Sequence, residues 1–363
     1  MRNPIPFPRL PRTLLCSALS CLTLLELPSC KKTADETVSP VTTTPTISGK
    51  VIFLVESNGV SGGISSLDFD SPSLQMSIVV PGGMEPRPSR DGKSLVYWKI
   101  SGPLFVSNLD GSNATPILSL SESYFNWPDW SPDGFVILFQ KQWRSRPRDE
   151  LVLVDRTGTN SRTIVDTLTV PRASMPRWSP DGSLIAFFGQ DSLGMPSWLT
   201  TISPDGSHYT RRVKANDWWL PEWSPDSRKV AFAGPKTGDP IFRSFVLELA
   251  SGIVSEIGAG TKAIRQARWL PDGRMLCWDE STIYLAGKDP PYVGQVLADG
   301  FSSPPCPLGS AESSLVGIFG HREGGALEFY VVSSQGGHLQ RVTTIHAATD
   351  AKIPESQPPQ WLR

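Results

Sequence analysis

Short apolar runs recur along the chain, and a polar turn sequence precedes most of them. The runs are three to five residues long and occupy residues 50–54, 95–97, 136–139, 184–188, 230–232, 275–278 and 315–319. Apolar runs of this length, bounded by turn residues, are typical of buried β-strands rather than of helices. The pattern therefore predicts an all-β protein.

The turn sequence before these runs is Trp-Ser-Pro-Asp-Gly or a close variant. Its Trp and acidic positions are Trp130 and Asp133, Trp178 and Asp181, Trp223 and Asp226, and Trp269 and Asp272. Weaker copies have their acidic position at Asp91 and Glu312, so that consecutive copies are 40 to 48 residues apart. Pro favours the second position of a type I turn, and Gly supplies the positive φ that lets the chain return. Each copy therefore predicts a strand–turn–strand hairpin.

A second hairpin follows in each repeat, for example between residues 151–154 and 162–165. Four strands in about 45 residues are typical of one blade of a β-propeller. We expect four-stranded antiparallel blades, seven in number, over residues 49–363. Residues 50–54 lack a preceding Trp motif, while Trp361 has no following strand, so the two ends should share one blade. Six blades is the alternative, should residues 50–90 or 274–310 not form a full sheet.

The repeated motif resembles that of the TolB-type propeller, a WD-repeat-like family common in bacterial envelope proteins. The resemblance covers essentially the whole chain after residue 48. It implies the propeller fold strongly and a function only weakly, because propellers of this type serve as binding scaffolds and also accompany peptidases and lyases. TolB carries a small α/β domain before its propeller, and residues 1–48 do not resemble it.

Residues 1–29 have the features of a secretory signal peptide. Arg2, Arg9 and Arg12 precede an apolar run at residues 14–27, which is too short to span a bilayer as a helix. The run ends in Leu-Pro-Ser before Cys30, which resembles the bacterial lipobox, whose cysteine carries the lipid. Lys31, rather than Asp, then implies an outer-membrane protein facing the periplasm, with exposure at the cell surface as the alternative. The alternative is a secreted protein in which Cys30 is a thiol near the cleavage point.

Amino-acid composition limits the fold classes and the binding partners to be expected. Residues 30–48 are polar and rich in Thr, which is typical of a flexible tether. The 363 residues contain 31 Gly and 34 Pro, which disfavours helix bundles. With 34 Lys and Arg against 35 Asp and Glu, the formal net charge is −1, and we expect no binding to nucleic acid. We expect a monomer.

The repeated Trp and Asp residues admit two interpretations. Trp130, Trp178, Trp223, Trp269 and Trp361 could stack sugars, and the repeated aspartates could bind metal. Residues that recur in every blade usually pack between blades, however, and Asp within a turn usually caps its backbone. We therefore predict structural roles and no metal or cofactor. Cys277 is expected to be a small core residue, with a disulfide to Cys306 left open.

Catalysis finds little support in the sequence. The four histidines, His208, His321, His338 and His346, show no metal-protease spacing, and no Gly-X-Ser-X-Gly sequence accompanies them. We predict a non-catalytic scaffold for an envelope protein or peptide. A carbohydrate-active propeller, either a glycan-binding module or a lyase or hydrolase, is the alternative.

The candidate ligand site is the face opposite the Trp-Ser-Pro-Asp-Gly turns, which we call the loop face. It carries aromatic and arginine residues that break the repeat: Tyr124, Phe125, Trp127, Trp143, Arg144, Arg146, Arg148, Trp198, Trp218 and Trp219. These residue types are enriched at binding hot spots. The three arginines beside Trp143 favour an acidic peptide or an acidic glycan. Two alternatives remain: aromatic residues that fold over blade edges, and arginines that pair with Asp149 and Glu150.

Overall fold

A computed structural model describes most of the chain from residue 47 onward. The described residues are 47–57, 60–72, 74, 76–100, 102–119, 122–145, 148–166, 168–191, 197–215, 219–236, 239–259, 262–264, 266–310, 312–322, 325–346, 353 and 359–362. They contain strands and turns but no α-helix, and hence no helical segment that could span a bilayer. The predicted signal peptide, Cys30 and the tether up to residue 46 lie outside this range.

The strands form seven four-stranded antiparallel blades, as predicted. Blade 1 begins with β1 (Lys50–Ser57), β2 (Val60–Asp68) and β3 (Met76–Val80). Blade 2 comprises β4 (Gly83–Pro88), β5 (Ser94–Lys99), β6 (Leu104–Asn108) and β7 (Thr115–Leu118). Blade 3 comprises β8 (Ser123–Trp130), β9 (Val136–Trp143), β10 (Asp149–Asp155) and β11 (Ser161–Val165). Blade 4 comprises β12 (Arg172–Trp178), β13 (Ile185–Gln190), β14 (Ser197–Ile202) and β15 (Thr210–Ala215).

The later blades follow the same order, with two additions to blade 5. Blade 5 comprises β16 (Glu222–Trp223), β17 (Lys229–Lys236), β18 (Asp239–Glu248) and β19 (Val254–Ala259), and its outer strand also pairs with β20 (Lys262–Ala263). Blade 6 comprises β21 (Gln266–Trp269), β22 (Met275–Trp278), β23 (Ile283–Ala286) and β25 (Gln295–Ala298), with β24 (Tyr292–Val293) pairing to β19. Blade 7 comprises β26 (Cys306–Gly309), β27 (Leu315–Gly320), β28 (Leu327–Ser333) and β29 (Gln340–His346).

The last strand, β30 (Gln360–Leu362), completes blade 1. It pairs antiparallel with β1, with Val51 opposite Trp361. The prediction that both chain ends share a blade is therefore confirmed, and the six-blade alternative is excluded. Closing the ring in this way leaves no blade without two neighbours.

The apolar core is divided among the seams between adjacent blades. Among the described residues, seven hydrophobic clusters occur, and each combines side chains from two neighbouring blades. Trp130 packs between blades 2 and 3, Trp178 between blades 3 and 4, and Trp223 between blades 4 and 5. Trp269 and Trp361 pack against the corresponding clusters at seams 5/6 and 7/1. The repeated Trp residues thus hold neighbouring blades together.

The acidic residue of each turn caps its own backbone. In blade 3, the Asp133 carboxylate accepts hydrogen bonds from the Ser131 hydroxyl at 2.5 Å and from the Phe135 amide at 3.1 Å. These two bonds lower the pKa of Asp133. Asp91, Asp181 and Asp226 accept the same serine bond, whereas Asp272 accepts from the Arg274 amide and guanidinium instead. This capping positions the inner strand against the second strand of the blade.

Candidate functional site

Five charged side chains occupy one repeat position on the inner strands of five consecutive blades. They occupy the position directly before the Trp position of the repeat: Arg87, Asp129, Arg177, Glu222 and Arg268. Arg87 and Glu222 belong to blades 2 and 5, yet the Glu222 charge acts on Arg87, which indicates that these side chains converge at the axis. We call this set the channel ring.

The sign of the charge alternates around the channel ring. Arg87 Nε donates to Asp129 Oδ1 at 2.8 Å, and Arg268 Nε lies 4.0 Å from Glu222 Oε1. Burial alone would lower the pKa of Arg87. The carboxylates of Asp129 and Glu222 outweigh this effect and raise the pKa above its ordinary value. The second Asp129 oxygen accepts the Trp178 amide at 2.9 Å, so this carboxylate links three consecutive blades.

Glu85 adds a sixth charged group to the channel. It lies on β4 two residues before Arg87, where a bulge gives it a φ of 48°, and Trp127 and Met175 occupy the equivalent bulges of the next two blades. Its carboxylate accepts hydrogen bonds from the Trp127 amide and from the Trp98 indole. Burial raises the pKa of Glu85 to about 7, although both hydrogen bonds and Arg177 act to lower it.

Sequence reasoning missed the channel ring. The relevant signal was present in the repeat itself, because the residue before the Trp position reads Arg, Asp, Arg, Glu and Arg in successive copies. Blade packing does not require a buried repeat position whose side-chain charge changes sign from blade to blade. It indicates side chains that meet one another across blades.

On the loop face, blade 3 carries two cation–aromatic pairs. Lys141 Nζ lies 4.0 Å from the centre of the Trp143 ring, and the Arg144 guanidinium lies 4.5 Å from the centre of the Tyr124 ring. Phe125 and Phe139 face blade 2, so the alternation along β8 and β9 directs Tyr124 and Arg144 towards blade 4. The two pairs therefore lie on opposite sides of blade 3.

A third pair lies on blade 4. Lys214 Nζ is 5.8 Å from the Trp198 ring, and these residues are direct partners on β14 and β15. Leu199 packs at seam 4/5 and Ile202 at seam 3/4, so Trp198 faces blade 3. The seam between blades 3 and 4 is thus bordered on the loop face by Tyr124 with Arg144 and by Trp198 with Lys214. We call these four residues the basic seam.

The other predicted ligand residues are distributed differently. Phe125 is only 2% exposed and packs on Phe139 with ring centres 5.2 Å apart. It therefore belongs to the core and is not part of the candidate ligand surface on the loop face. Trp127 is half-buried in the channel bulge, and Arg148 is exposed. Trp219 borders a cavity of about 30 Å³ between blades 5 and 6, together with Glu222 and Arg268. Arg146 and Trp218 lie outside the described residues.

Each carboxylate beside the predicted arginine stripe has a basic partner outside the stripe. Asp149 accepts from Arg172 Nε at 3.0 Å, and Glu150 pairs with Lys141 at 3.3 Å. Within the described residues, the Arg144 guanidinium contacts the Tyr124 ring and no carboxylate. Arg144 is exposed and retains donors that can reach a ligand.

The described part of the chain offers few residues for metal binding or for thiol chemistry. It contains no group of three or more His, Cys, Asp and Glu side chains that could hold a metal ion. His208 lies in a turn of blade 4, and in blade 7 the Nδ1 atom of His321 lies 2.8 Å from the Gly325 carbonyl oxygen. Cys277 and Cys306 are both buried thiols and are not joined in a disulfide.

Comparisons with known proteins support the fold alone. No family model matches the chain. No curated protein sequence matches it. The solved structures it resembles include TolB from Acinetobacter baumannii, which is 14% identical with a TM-score of 0.51, over 88% of this chain and 67% of that one.

Two further structures are similar at comparable identity. An oligogalacturonate lyase in complex with manganese is 14% identical with a TM-score of 0.63, over 78% of this chain and 86% of that one. A puromycin hydrolase S511A mutant complexed with PGG is 14% identical with a TM-score of 0.65, over 83% of this chain. The chain spans 53% of that hydrolase. The protein therefore has a TolB-like β-propeller fold, and similarity at this level does not extend to activity.

Proposed function

We propose that this protein is a lipid-anchored β-propeller scaffold of the bacterial cell envelope that captures an acidic protein or peptide on its loop face. The observation that carries the proposal is the basic seam, where Arg144 and Lys214 each lie over an aromatic ring on facing sides of blades 3 and 4. An acidic glycan presents the same charges and is the competing ligand.

The arrangement suits an acidic ligand for two physical reasons. Each ring orients its cation, so that less side-chain entropy is lost when a ligand carboxylate is bound. The half-buried Trp198 and the exposed Tyr124 also provide apolar area beside the charges, which is typical of binding hot spots. The overall formal charge of −1 means that this attraction is local to the seam.

The ligand proposal can be tested with a fluorescent polyglutamate peptide. We expect binding to weaken as salt is raised, and the double variant Arg144→Ala, Lys214→Ala to raise the Kd by about tenfold or more. A matched double variant, Arg228→Ala with Lys288→Ala, removes the same charge from exposed sites on the opposite face and should change the Kd less than about twofold. Equal binding by both double variants would place the ligand elsewhere.

The anchor is a separate part of the proposal. The lipobox-like sequence before Cys30 and the following Lys31 support attachment to the outer membrane, facing the periplasm. Cys30→Ser should yield an unlipidated protein that leaves the membrane fraction. Unchanged membrane partitioning of that variant would contradict the anchor without affecting the basic seam.

A carbohydrate-active enzyme is the second candidate. It is favoured by Glu85, a buried carboxyl whose pKa is raised to about 7 by burial and which faces an arginine-rich channel. Incubation with polygalacturonate, followed by assay of new reducing ends, tests this activity. Chain cleavage by the native protein that is lost in Glu85→Gln would favour the enzyme over the scaffold.

A further inference from the structure

The channel ring contains three arginines but only two carboxylates. Asp129 pairs with Arg87, and Glu222 Oε1 lies 4.0 Å from Arg268 Nε. Along the ring, Asp129 and Glu222 flank Arg177. Arg268 also donates to the backbone carbonyls of Pro307 and Pro359. The alternating order therefore leaves the central arginine, Arg177, as the residue without a carboxylate of its own.

Arg177 is poorly satisfied for a buried cation. The residue is 6% exposed, and within the described residues its guanidinium makes one hydrogen bond, from Nη1 to the Pro176 carbonyl at 3.3 Å. Its Nε is buried and has no acceptor among the described residues. Burial, together with the like charge of Arg87, lowers the pKa of Arg177 to about 10.

The nearby carboxylates accept hydrogen bonds from other groups. Asp129 accepts from Arg87 and from the Trp178 amide, and Glu85 accepts from the Trp127 amide and the Trp98 indole. A buried cation that lacks such a partner destabilises a fold, and an external ion that binds there would remove this penalty. A buried cation with an unsatisfied donor therefore requires an explanation, and an external anion supplies one.

We propose that Arg177 is the receptor for an external carboxylate, which binds inside the channel and balances the third arginine of the channel ring. A guanidinium matches a carboxylate in shape, because its planar fork can donate two parallel hydrogen bonds to the two oxygens. The carboxylate would come either from a small free acid or from the C-terminus of a peptide that enters the channel. This site is separate from the basic seam, and neither proposal depends on the other.

Thermal unfolding in sodium formate provides the first test. A ligand that binds only the folded protein raises the melting temperature with its concentration. We expect the melting temperature to rise with the logarithm of the formate concentration above the Kd, by about 5 °C at a hundredfold excess for a domain of this size. A melting temperature that does not rise with formate concentration would overturn the proposal, because the guanidinium would then be satisfied without an anion.

Variants separate Arg177 from other binding sites. Arg177→Met should abolish the rise in melting temperature with formate, and it should melt higher than the native protein in formate-free buffer because the unmatched charge is gone. Arg177→Lys keeps the charge but loses the fork, so its formate Kd should rise about tenfold while the fold is preserved. If Arg177→Met fails to fold, the lysine variant decides the matter: an unchanged formate Kd in that variant would overturn the proposal.

Two further controls identify the source of the carboxylate. The matched variant Arg162→Met, at an exposed arginine of β11, should retain the full formate response. Oligoglycine with a free C-terminus should compete with formate if a peptide end can reach Arg177, whereas the amidated peptide should not. Formate binding without peptide competition assigns the site to small free acids. A formate response that survives in Arg177→Met places the site elsewhere and contradicts the proposal.

Discussion

The indole N–H of Trp130 donates a hydrogen bond to the backbone carbonyl of Arg87 at 2.9 Å, and this bond joins blade 3 to blade 2. Trp223 and Trp269 repeat it, donating to the carbonyls of Arg177 and Glu222 in their preceding blades. The same backbone positions carry the channel ring. The repeated Trp therefore fixes the ends of the inner strands from which the ring side chains extend into the channel.

Trp178 departs from this pattern and allows a matched comparison. Its indole N–H is buried and finds no acceptor in the described part of the chain, although its ring packs at seam 3/4 as Trp130 packs at seam 2/3. Trp130→Phe removes the interblade bond and leaves the Arg87 carbonyl without that donor, whereas Trp178→Phe removes no hydrogen bond. We expect Trp130→Phe to lower the free energy of unfolding by about 1 kcal/mol more than Trp178→Phe.

Urea unfolding of the two variants measures this difference, since both substitutions remove a similar volume. Equal losses in the two variants would show that the Trp contribution is packing alone. A larger loss in Trp178→Phe would contradict the assigned hydrogen bonds.

The buried carboxyl of Glu85 predicts a pH dependence of stability. An acid whose pKa is higher in the folded state than in the unfolded state destabilises the fold as pH rises, here between the ordinary value of 4.5 and about 7. Glu85→Gln keeps an acceptor for the Trp127 amide and the Trp98 indole but cannot ionise. We expect it to stabilise the protein by up to about 3 kcal/mol near pH 8, with the gain approaching zero near pH 4.5.

Urea unfolding of the native protein and Glu85→Gln across this pH range checks the sign. The charged groups that face Glu85 include Arg177, which already acts to lower its pKa. A stability difference that does not change with pH would mean that Glu85 titrates at its ordinary value.

The closing strand predicts sensitivity at the C-terminus. Trp361 packs on Phe69 and Phe329, with ring centres 5.5 and 6.3 Å away, and donates to the Ser48 carbonyl at 2.9 Å. Deleting residues 358–363 removes these contacts and exposes the edge of β1, so the ring should open and the protein should self-associate. We expect a loss of at least about 3 kcal/mol, measured by thermal unfolding and light scattering.

Removing residue 363 alone is the control for this deletion. It leaves the pairing of Lys50 with Leu362 in place and should melt within about 2 °C of the native protein. A longer deletion that melts like the native protein would refute the closure by β30.

The two cysteines should resist modification in the folded protein. Cys277 is fully buried, and burial raises its pKa to about 12, while Cys306 is 5% exposed. Because thiolate is the reactive form, iodoacetamide should label neither thiol of the propeller at a measurable rate under native conditions and both in denaturant. Rapid labelling of the native protein, followed by mass spectrometry, would reveal a local opening at blades 6 and 7.

Much of the fold follows from local sequence that is repeated. The Trp-Ser-Pro-Asp-Gly turns predict the hairpins, because the Ser hydroxyl, the Asp carboxylate and a residue of positive φ form the turn within five residues. Gly182 and Ser227 both adopt that positive φ, at 75° and 61°. The position of Trp361 likewise predicts closure, since a strand without a partner needs one at the other end of the chain.

The candidate sites could be predicted only in part. Residue type indicated Tyr124, Arg144 and Trp198, but the sequence did not show that Phe125 faces the core while Tyr124 faces the solvent. That difference depends on the register of β8 against β9, because neighbouring residues of a strand point to opposite faces. Lys141 and Lys214, which complete two of the cation–aromatic pairs, are two and sixteen residues from their rings and gave no local signal.

The sequence by itself determined the class of fold, the number of blades and their closure, because each depends on interactions within one repeat or on simple counting of repeats. Only the tertiary structure decided which charges meet in the channel. Asp129 is closer to Arg87 than to Arg177, and this choice leaves one guanidinium without a carboxylate. Ion pairing at a ring of converging strands depends on distances between blades, and no local pattern in the sequence encodes those distances.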